Sequence, residues 1–301
     1  MRNLANAARR DTAALMIILL LDVMFVAAKR PSNAQASAER QSTPEMVHLS
    51  GGRMIIGIDT SEIPKFQQVF SIGMRELFEV AVPKHSVNVH PFFIDRYLVT
   101  NSEFKSFVES HPQWRPGKIA ARLDNGHYLK HWAGGTFPIG RANHPVVNIN
   151  WYAAVAYCQA QGKRLPLEAE WEYAARGGLE KPLFPWGDQD ASPKLANYSA
   201  GGLHTTSPVG SYPPNGYDVY DMAGNVWEFL SDEWNKYPSG RGTAASESPR
   251  ADLQNSFMDV RTRRVIRGGS FEGDPINLWV EYRDSHPPDG SQSFVGFRCA
   301  K

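Results

Sequence analysis

Gly162-Lys163-Arg164-Leu165-Pro166-Leu167-Glu168-Ala169-Glu170-Trp171-Glu172-Tyr173-Ala174-Ala175-Arg176-Gly177-Gly178 combines a helix start, a run of acids and aromatics, and a double-glycine stop. The helix is expected after Pro166, over Glu168 to Arg176, ending at Gly177-Gly178. Arg164, Glu170 and Glu172, on or beside a helix rich in Trp and Ala, read as ion pairs within a core rather than as catalytic acids. Just upstream, Trp151, Val155 and Cys158 are spaced by three and four residues. That spacing predicts a helix from about Trp151 to Gln161, with Gly162 as its C-cap.

Working outward, Met54-Ile55-Ile56-Gly57 reads as a short strand after the Gly51-Gly52 turn. His90 to Asp95 reads as another, continued by Tyr97 to Thr100. Thr100 or Asn101 caps a helix over Glu103 to Ser110, with Phe104, Phe107 and Val108 on one face. Turns dominate from Gly178 to Ser211. Short strands are expected near Val209-Gly210-Ser211, Val265-Ile266-Arg267 and Phe294 to Cys299. No internal repeat and no linker divides the chain after its N-terminal segment, which predicts one domain.

The composition suits such a fold. The chain has 301 residues, of which 42% are hydrophobic and 21% charged, and 8 Trp, 25 Gly and 21 Pro point to a loop-rich domain pinned by aromatics. A formal net charge of +1 with no basic stripe argues against a nucleic-acid partner. Residues 1–36 differ from the rest. Arg2, Arg9 and Arg10 precede the apolar run Ala13 to Ala28, and Ala34-Gln35-Ala36 offers a small-x-small cleavage pattern. That order reads as a secretory signal, which predicts a periplasmic or secreted protein touching membrane only through this segment. Residues 37–49 are polar and read as a flexible lead-in to a domain over 50–301. In an oxidising compartment Cys158 and Cys299 form an even pair with one connectivity. Two free metal-binding thiols are the alternative, although neither lies in a close ligand spacing.

The central stretch, with His144-Pro145-Val146-Val147-Asn148 before it, resembles the signature segment of the sulfatase-modifying-factor family, whose founding activity is formylglycine generation. Ordered blocks extend the resemblance: Pro185-Trp186-Gly187, Ala196-Asn197-Tyr198, Pro214-Asn215-Gly216-Tyr217, Gly224-Asn225-Val226-Trp227-Glu228, Arg267-Gly268-Gly269-Ser270 and Gly296-Phe297-Arg298-Cys299. It implies a compact α+β fold, a C-type-lectin-like variant with little regular secondary structure. It also implies a structural disulfide between Cys158 and Cys299. Gly268-Gly269 is expected where only glycine fits the backbone.

The resemblance further implies a calcium ion on Asp221, Gly224, Val226 and Glu228, through two side chains and two carbonyls, with Asp221 where related enzymes often carry Asn. Asn197 and Tyr198 match the first half of a second family calcium site, whose downstream acid is missing here. His127 and His131 share the spacing of the iron motif in related sulfoxide synthases. Ala133 stands at its acid position, however, and the surrounding glycines indicate loop.

Formylglycine generation uses copper(I), and the family supplies two cysteines for it shortly after Gly-Gly-Ser. The corresponding segment here, Phe271 to Arg283, contains none, and the chain has only 2 Cys. Copper is therefore not expected, and the sequence leaves open whether another redox metal binds. Two readings lead: a divergent, non-copper enzyme on the oxidase fold, like the exported pyoverdine-maturation members, or an accessory protein binding an exported protein or peptide. Sulfatase maturation, by formylglycine generation or as a pseudoenzyme partner, is the alternative. For an enzyme, the pocket candidates are Ser270, Glu272, Glu281, Arg283 and Trp227.

Overall fold

In the computed structural model, residues 45–237 and 256–301 are described, together with the backbone of 244–245. Residues 1–36, read above as a signal, lie outside them. Among the described residues no helix is long and apolar enough to cross a membrane.

Among the described residues, three small sheets and five short α-helices make up the domain. Strand β1 (Met46–Leu49) pairs antiparallel with β4 (Phe92–Asp95). Strand β2 (Gly52–Ile56) pairs with β3 (His85–Val89), which also meets β6 (Ala244–Ala245). The third sheet has the order β8-β7-β5-β9, from β5 (Trp227–Glu233), β7 (Arg264–Arg267), β8 (Arg283–His286) and β9 (Val295–Gly296). Helices α1 (Ile63–Phe70) and α2 (Glu76–Glu79) lie in the β2–β3 connection. They are followed by α3 (Asn101–Ser110), α4 (Trp151–Ala160) and α5 (Glu168–Ala175).

Local chemistry explains the helices. Thr100 caps α3 in a capping box, its Oγ1 accepting from Glu103 N at 3.3 Å while Glu103 Oε2 accepts from Thr100 N at 2.7 Å. Asn150 Oδ1 accepts from Ala153 N at 2.9 Å at the start of α4. That helix is buried nearly all round, with Tyr152, Ala153 and Ala154 as inaccessible as Trp151 and Cys158. The α5 turn ends at Gly177, where φ is +58° and an added Cβ would lie 2.7 Å from Gly216 N. Gly269 (φ +72°) would meet Asn277 O at 2.8 Å, so the double glycine is a requirement of close backbone approach.

Three expectations change. The lead-in ends before Met46, because β1 is part of the fold and residue Arg96 N bonds Glu45 O at 2.9 Å. Tyr97 to Thr100 does not continue β4; it is a loop held by single long-range bonds, among them Val99 N to Phe297 O. Val209-Gly210-Ser211 is a turn, with Gly210 N bonded to Asp221 Oδ2 rather than to a strand.

The cysteines form the disulfide Cys158–Cys299, across a separation of 141 residues. Ala300 exchanges backbone bonds with Arg164, and Lys301 does so with Phe93, so the bridge fastens α4 to a seam of three distant segments. Replacing both cysteines by alanine is expected to cost roughly 3–5 kcal/mol of unfolding free energy in chemical denaturation, the value for a loop of this length.

Candidate functional site

Helix α5 presents its acids inward because β7 and β8 lie against it with arginines. Glu168 Oε1 accepts from Arg267 Nη1 (2.7 Å) and Arg283 Nε (2.7 Å), and Oε2 accepts from Arg283 Nη2 (2.6 Å). Glu172 accepts from Arg267 Nη2 (2.7 Å) and from Arg176 Nη2 (2.5 Å). All of these residues are buried, and the Arg267 guanidinium also lies over the Trp171 ring at 5.2 Å. Burial pushes the Glu168 carboxyl up, but Arg283 and Arg267 outweigh it and hold it below its usual range. Arg164 binds Glu170 with two bonds of 2.6 Å, as expected for scaffold acids.

Glu281 differs from its neighbours. It is 2% exposed, and neither carboxyl oxygen receives a hydrogen bond. Arg176 Nη2 and Lys181 Nζ stand 3.6 and 3.5 Å away. Burial, then the Glu172 charge, pushes its carboxyl up to about 8 against the pull of Lys181 and Arg176. It lines a cavity of about 250 Å³ with Trp279, Phe66, Lys65 and Lys181. Asp232, whose Oδ2 accepts from Glu168 N at 2.7 Å, is likewise pushed up to about 7 by burial and the Glu168 charge.

The segment Phe271 to Arg283 is packed with apolar side chains. Trp279 is 2% exposed and meets Phe66 at 4.6 Å, Phe70 at 5.7 Å and Phe78 at 6.2 Å between ring centroids. Helices α1 and α2 therefore cover this segment. Sequence reading passed over them, although Ile63, Phe66 and Phe70 at intervals of three and four residues carry the signal.

The five pocket candidates separate. Glu281 and Arg283 join the charged network. Ser270 is buried in a turn, its Oγ accepting from Glu272 N at 3.3 Å, while the Glu272 side chain is exposed. Trp227 packs near Tyr282, at 6.1 Å. Arg283 is consumed by Glu168 and by Asn235 O (2.7 Å).

Among the proposed cation ligands, Asp221 (φ +56°) and Gly224 (φ +77°) curve the backbone in a tight turn. Asp221 is buried, accepts from Gly210 N at 2.8 Å, and has its carboxyl pushed up mainly by burial. Asp221 Oδ1 also accepts from Asn225 Nδ2 at 3.5 Å, so the acid is partly satisfied, and an all-oxygen donor set of this kind fits a hard cation. Glu228 at the other end is bound by Arg298 through both oxygens, at 2.7 and 3.0 Å, and a cation there would share it with that arginine. Asn197 Oδ1 is buried without a hydrogen bond, whereas the Tyr198 carbonyl accepts from Gly201 N. His127 and His131 lie in turns rather than on one helix face. Among the described residues no three His, Cys, Asp or Glu side chains group around a metal position.

Two outcomes follow from the network. Arg267→Met should destabilise the fold by about 3–5 kcal/mol in chemical denaturation, because two carboxylates lose a buried partner. Glu281 is protonated more readily in the folded state than in the unfolded one. Its contribution is therefore present below pH 4.5 and declines as pH rises toward 8, by at most about 1.4 kcal/mol per unit. Glu281→Gln should flatten that decline when denaturation midpoints are measured across this range.

Known proteins share this architecture. Treponema denticola variable protein 1 superposes with a TM-score of 0.61 at 21% identity, covering 85% of this chain and 94% of that one. PvdO from Pseudomonas aeruginosa superposes with a TM-score of 0.57 at 27% identity, covering 86% and 95%. In sequence, the formylglycine-generating enzyme of Thermomonospora curvata is 35% identical over 261 residues, 72% of this chain and 84% of that protein. The mouse protein named inactive C-alpha-formylglycine-generating enzyme 2 is 31% identical over 300 residues, 85% of each. The sulfatase-modifying factor enzyme 1-like domain matches residues 31–301. With that match over most of its length, and the α+β, C-type-lectin-like fold described above, this chain belongs to the sulfatase-modifying-factor family, that of the formylglycine-generating enzymes.

Proposed function

We propose that this chain is a copper-free member of its family that acts by binding an exported protein or peptide rather than by oxidising a cysteine. The supporting observation is Trp279. It lies in the segment corresponding to the family's thiolate pair and is buried beneath Phe66, Phe70 and Phe78. Both cysteines of the chain are tied up in the disulfide, so no thiolate is left for soft Cu(I). The residues present do not fit copper. A mouse relative is itself named inactive.

The disulfide suits an oxidising compartment, which favours a periplasmic or secreted location. Calcium is assigned a structural role, held by Asp221, the carbonyls of Gly224 and Val226, and Glu228. Asn197 and Tyr198 are a weaker second position. One observation favours a second reading, the divergent non-copper enzyme. Glu281 is a buried acid without hydrogen bonds that lines a cavity beside Lys181, the arrangement of a general acid or base. Pseudoenzyme modulation of sulfatase maturation is a special case of the binding reading.

The decisive experiment incubates the purified protein with Cu(I) and a Cys-x-Pro-x-Arg peptide, following O₂ uptake and peptide mass. No copper-dependent uptake and an unchanged cysteine are expected, and conversion of that cysteine to formylglycine would overturn the proposal. For calcium, thermal unfolding in Ca²⁺ against EDTA should show stabilisation of about 2.7 kcal/mol at a hundred times Kd. Asp221→Gly, which removes the side-chain oxygen and tolerates the positive φ, should lose much of it, whereas Asp221→Asn, which keeps an oxygen ligand, should retain most.

A further inference from the structure

Strand β2 is an edge strand, with β3 as its one partner among the described strands. Its outer side is partly closed by side chains. Tyr173 Oη donates to Gly51 O (2.8 Å), Arg176 Nη2 to Ile55 O (2.6 Å) and Lys181 Nζ to Gly57 O (3.1 Å). These carbonyls belong to alternate residues. By the two-residue alternation of an antiparallel ladder, Arg53 in the middle turns its own amide and carbonyl outward, as Ile55 does its amide. The edge is thus blocked at both ends and open at its centre.

That opening faces a cavity of about 550 Å³. One wall is the stacked pair Tyr173 and Tyr217, with ring centroids 5.8 Å apart. The cavity is also lined by Arg53, Lys84, Arg176 and Lys181 against one acid, Glu180. Arg176 and Lys181 are engaged with Glu172, Glu281 and the strand carbonyls, and Lys84 with Asp59 and Glu62. The Arg53 guanidinium meets Ser86 Oγ at 2.8 Å and, among the described residues, no carboxylate. Ile55 and Leu179, 39% and 47% exposed, add apolar surface beside the tyrosines.

We propose that the outer edge of β2 docks an extended acidic peptide segment of a partner protein, paired through the backbone of Arg53 and the amide of Ile55. Backbone pairing supplies a donor and an acceptor at Arg53 and a further donor at Ile55, the economy of strand addition. A carboxylate on the incoming strand meets Arg53, and an aromatic or aliphatic side chain lies on the Tyr173–Tyr217 wall. The blocked flanks confine pairing to a short stretch, which also keeps the edge from templating long sheets. This deepens the binding reading by naming a place and a partner chemistry. It does not depend on how the Trp279 segment behaves.

Fluorescence anisotropy with the full chain tests it, using a labelled peptide of alternating Glu and Phe, the Lys–Phe counterpart, and the Glu–Phe peptide N-methylated at alternate amides. The Glu–Phe peptide should bind at least about tenfold more tightly than either of the others. Arg53→Glu, at an exposed position, should weaken that binding by about tenfold without altering the thermal midpoint, and raising salt should weaken it too. Hydrogen exchange at the Arg53 and Ile55 amides should slow when the peptide binds. Equal affinity for the N-methylated peptide, no preference over the basic peptide, or no binding at all would each overturn the proposal. Turnover of the thiol peptide would overturn only the copper-free reading, so the two failures are distinguishable.

Discussion

Arg267 is the residue through which the sheet and α5 hold each other. Its guanidinium is wholly buried, spans Glu168 and Glu172 one helical turn apart, and donates to Val280 O at 2.5 Å. A charge so far from water is tolerable only when paired, and here both terminal nitrogens meet carboxylates while Nε is left without a hydrogen-bond partner. That requirement fixes the rotation of α5, the position of β7, and the path of the chain into β8, where Arg283 takes the remaining face of Glu168. The glycines next to Arg267 follow from it, since Gly268 lies so near Trp171 that an added Cβ would be 3.1 Å from the indole. Arg298 with Glu228 repeats the device between β5 and the segment after β9.

Such an interior leaves acids unequal. Glu168 and Glu172 have guanidinium partners within hydrogen-bonding distance, and Glu281 has only more distant cations. The same scaffold that makes two carboxylates structural thus leaves a third able to hold a proton near neutrality. The aromatic cover over Trp279 lies beside it, so the segment from Phe271 to Arg283 combines apolar filling with one unsatisfied acid. The cavity at the β2 edge is lined by Arg176 and Lys181 from the same helix end and following loop.

Helices α4 and α5 were legible because their information is local: apolar spacing, a cap and a terminating glycine. The scaffold role of Arg164 and Glu170, and the pairing of Cys158 with Cys299, were also legible, the latter through compartment and resemblance. Tyr97 to Thr100 and Val209 to Ser211 misled because extended, β-branched-rich sequence looks alike in a ladder and in a loop. In this fold such segments are fastened by isolated bonds to Phe297, Asn143 and Asp221, which no local pattern encodes. The site was less legible than the fold. Ser270 and Glu272 share a chain segment with Glu281, yet the turn at Gly269 directs them to different environments, and Trp227, a possible wall, lies near Tyr282. Arg53 and Lys181 gave no signal, since their importance comes from an edge that exists only after β2 and β3 pair.

The seam formed by residues 297–301 also bears on the order of assembly. Strand β4 belongs to the first third of the chain, yet Phe93 and Asp95 find backbone partners in Lys301 and Cys299. Those contacts close over some of the longest sequence separations in the molecule, and contacts of this kind form slowly. During synthesis β1 and β4 must remain incompletely satisfied until residues near 300 have emerged. The seam is thus among the last parts of the fold to close, after the segments it joins have each formed their local structure.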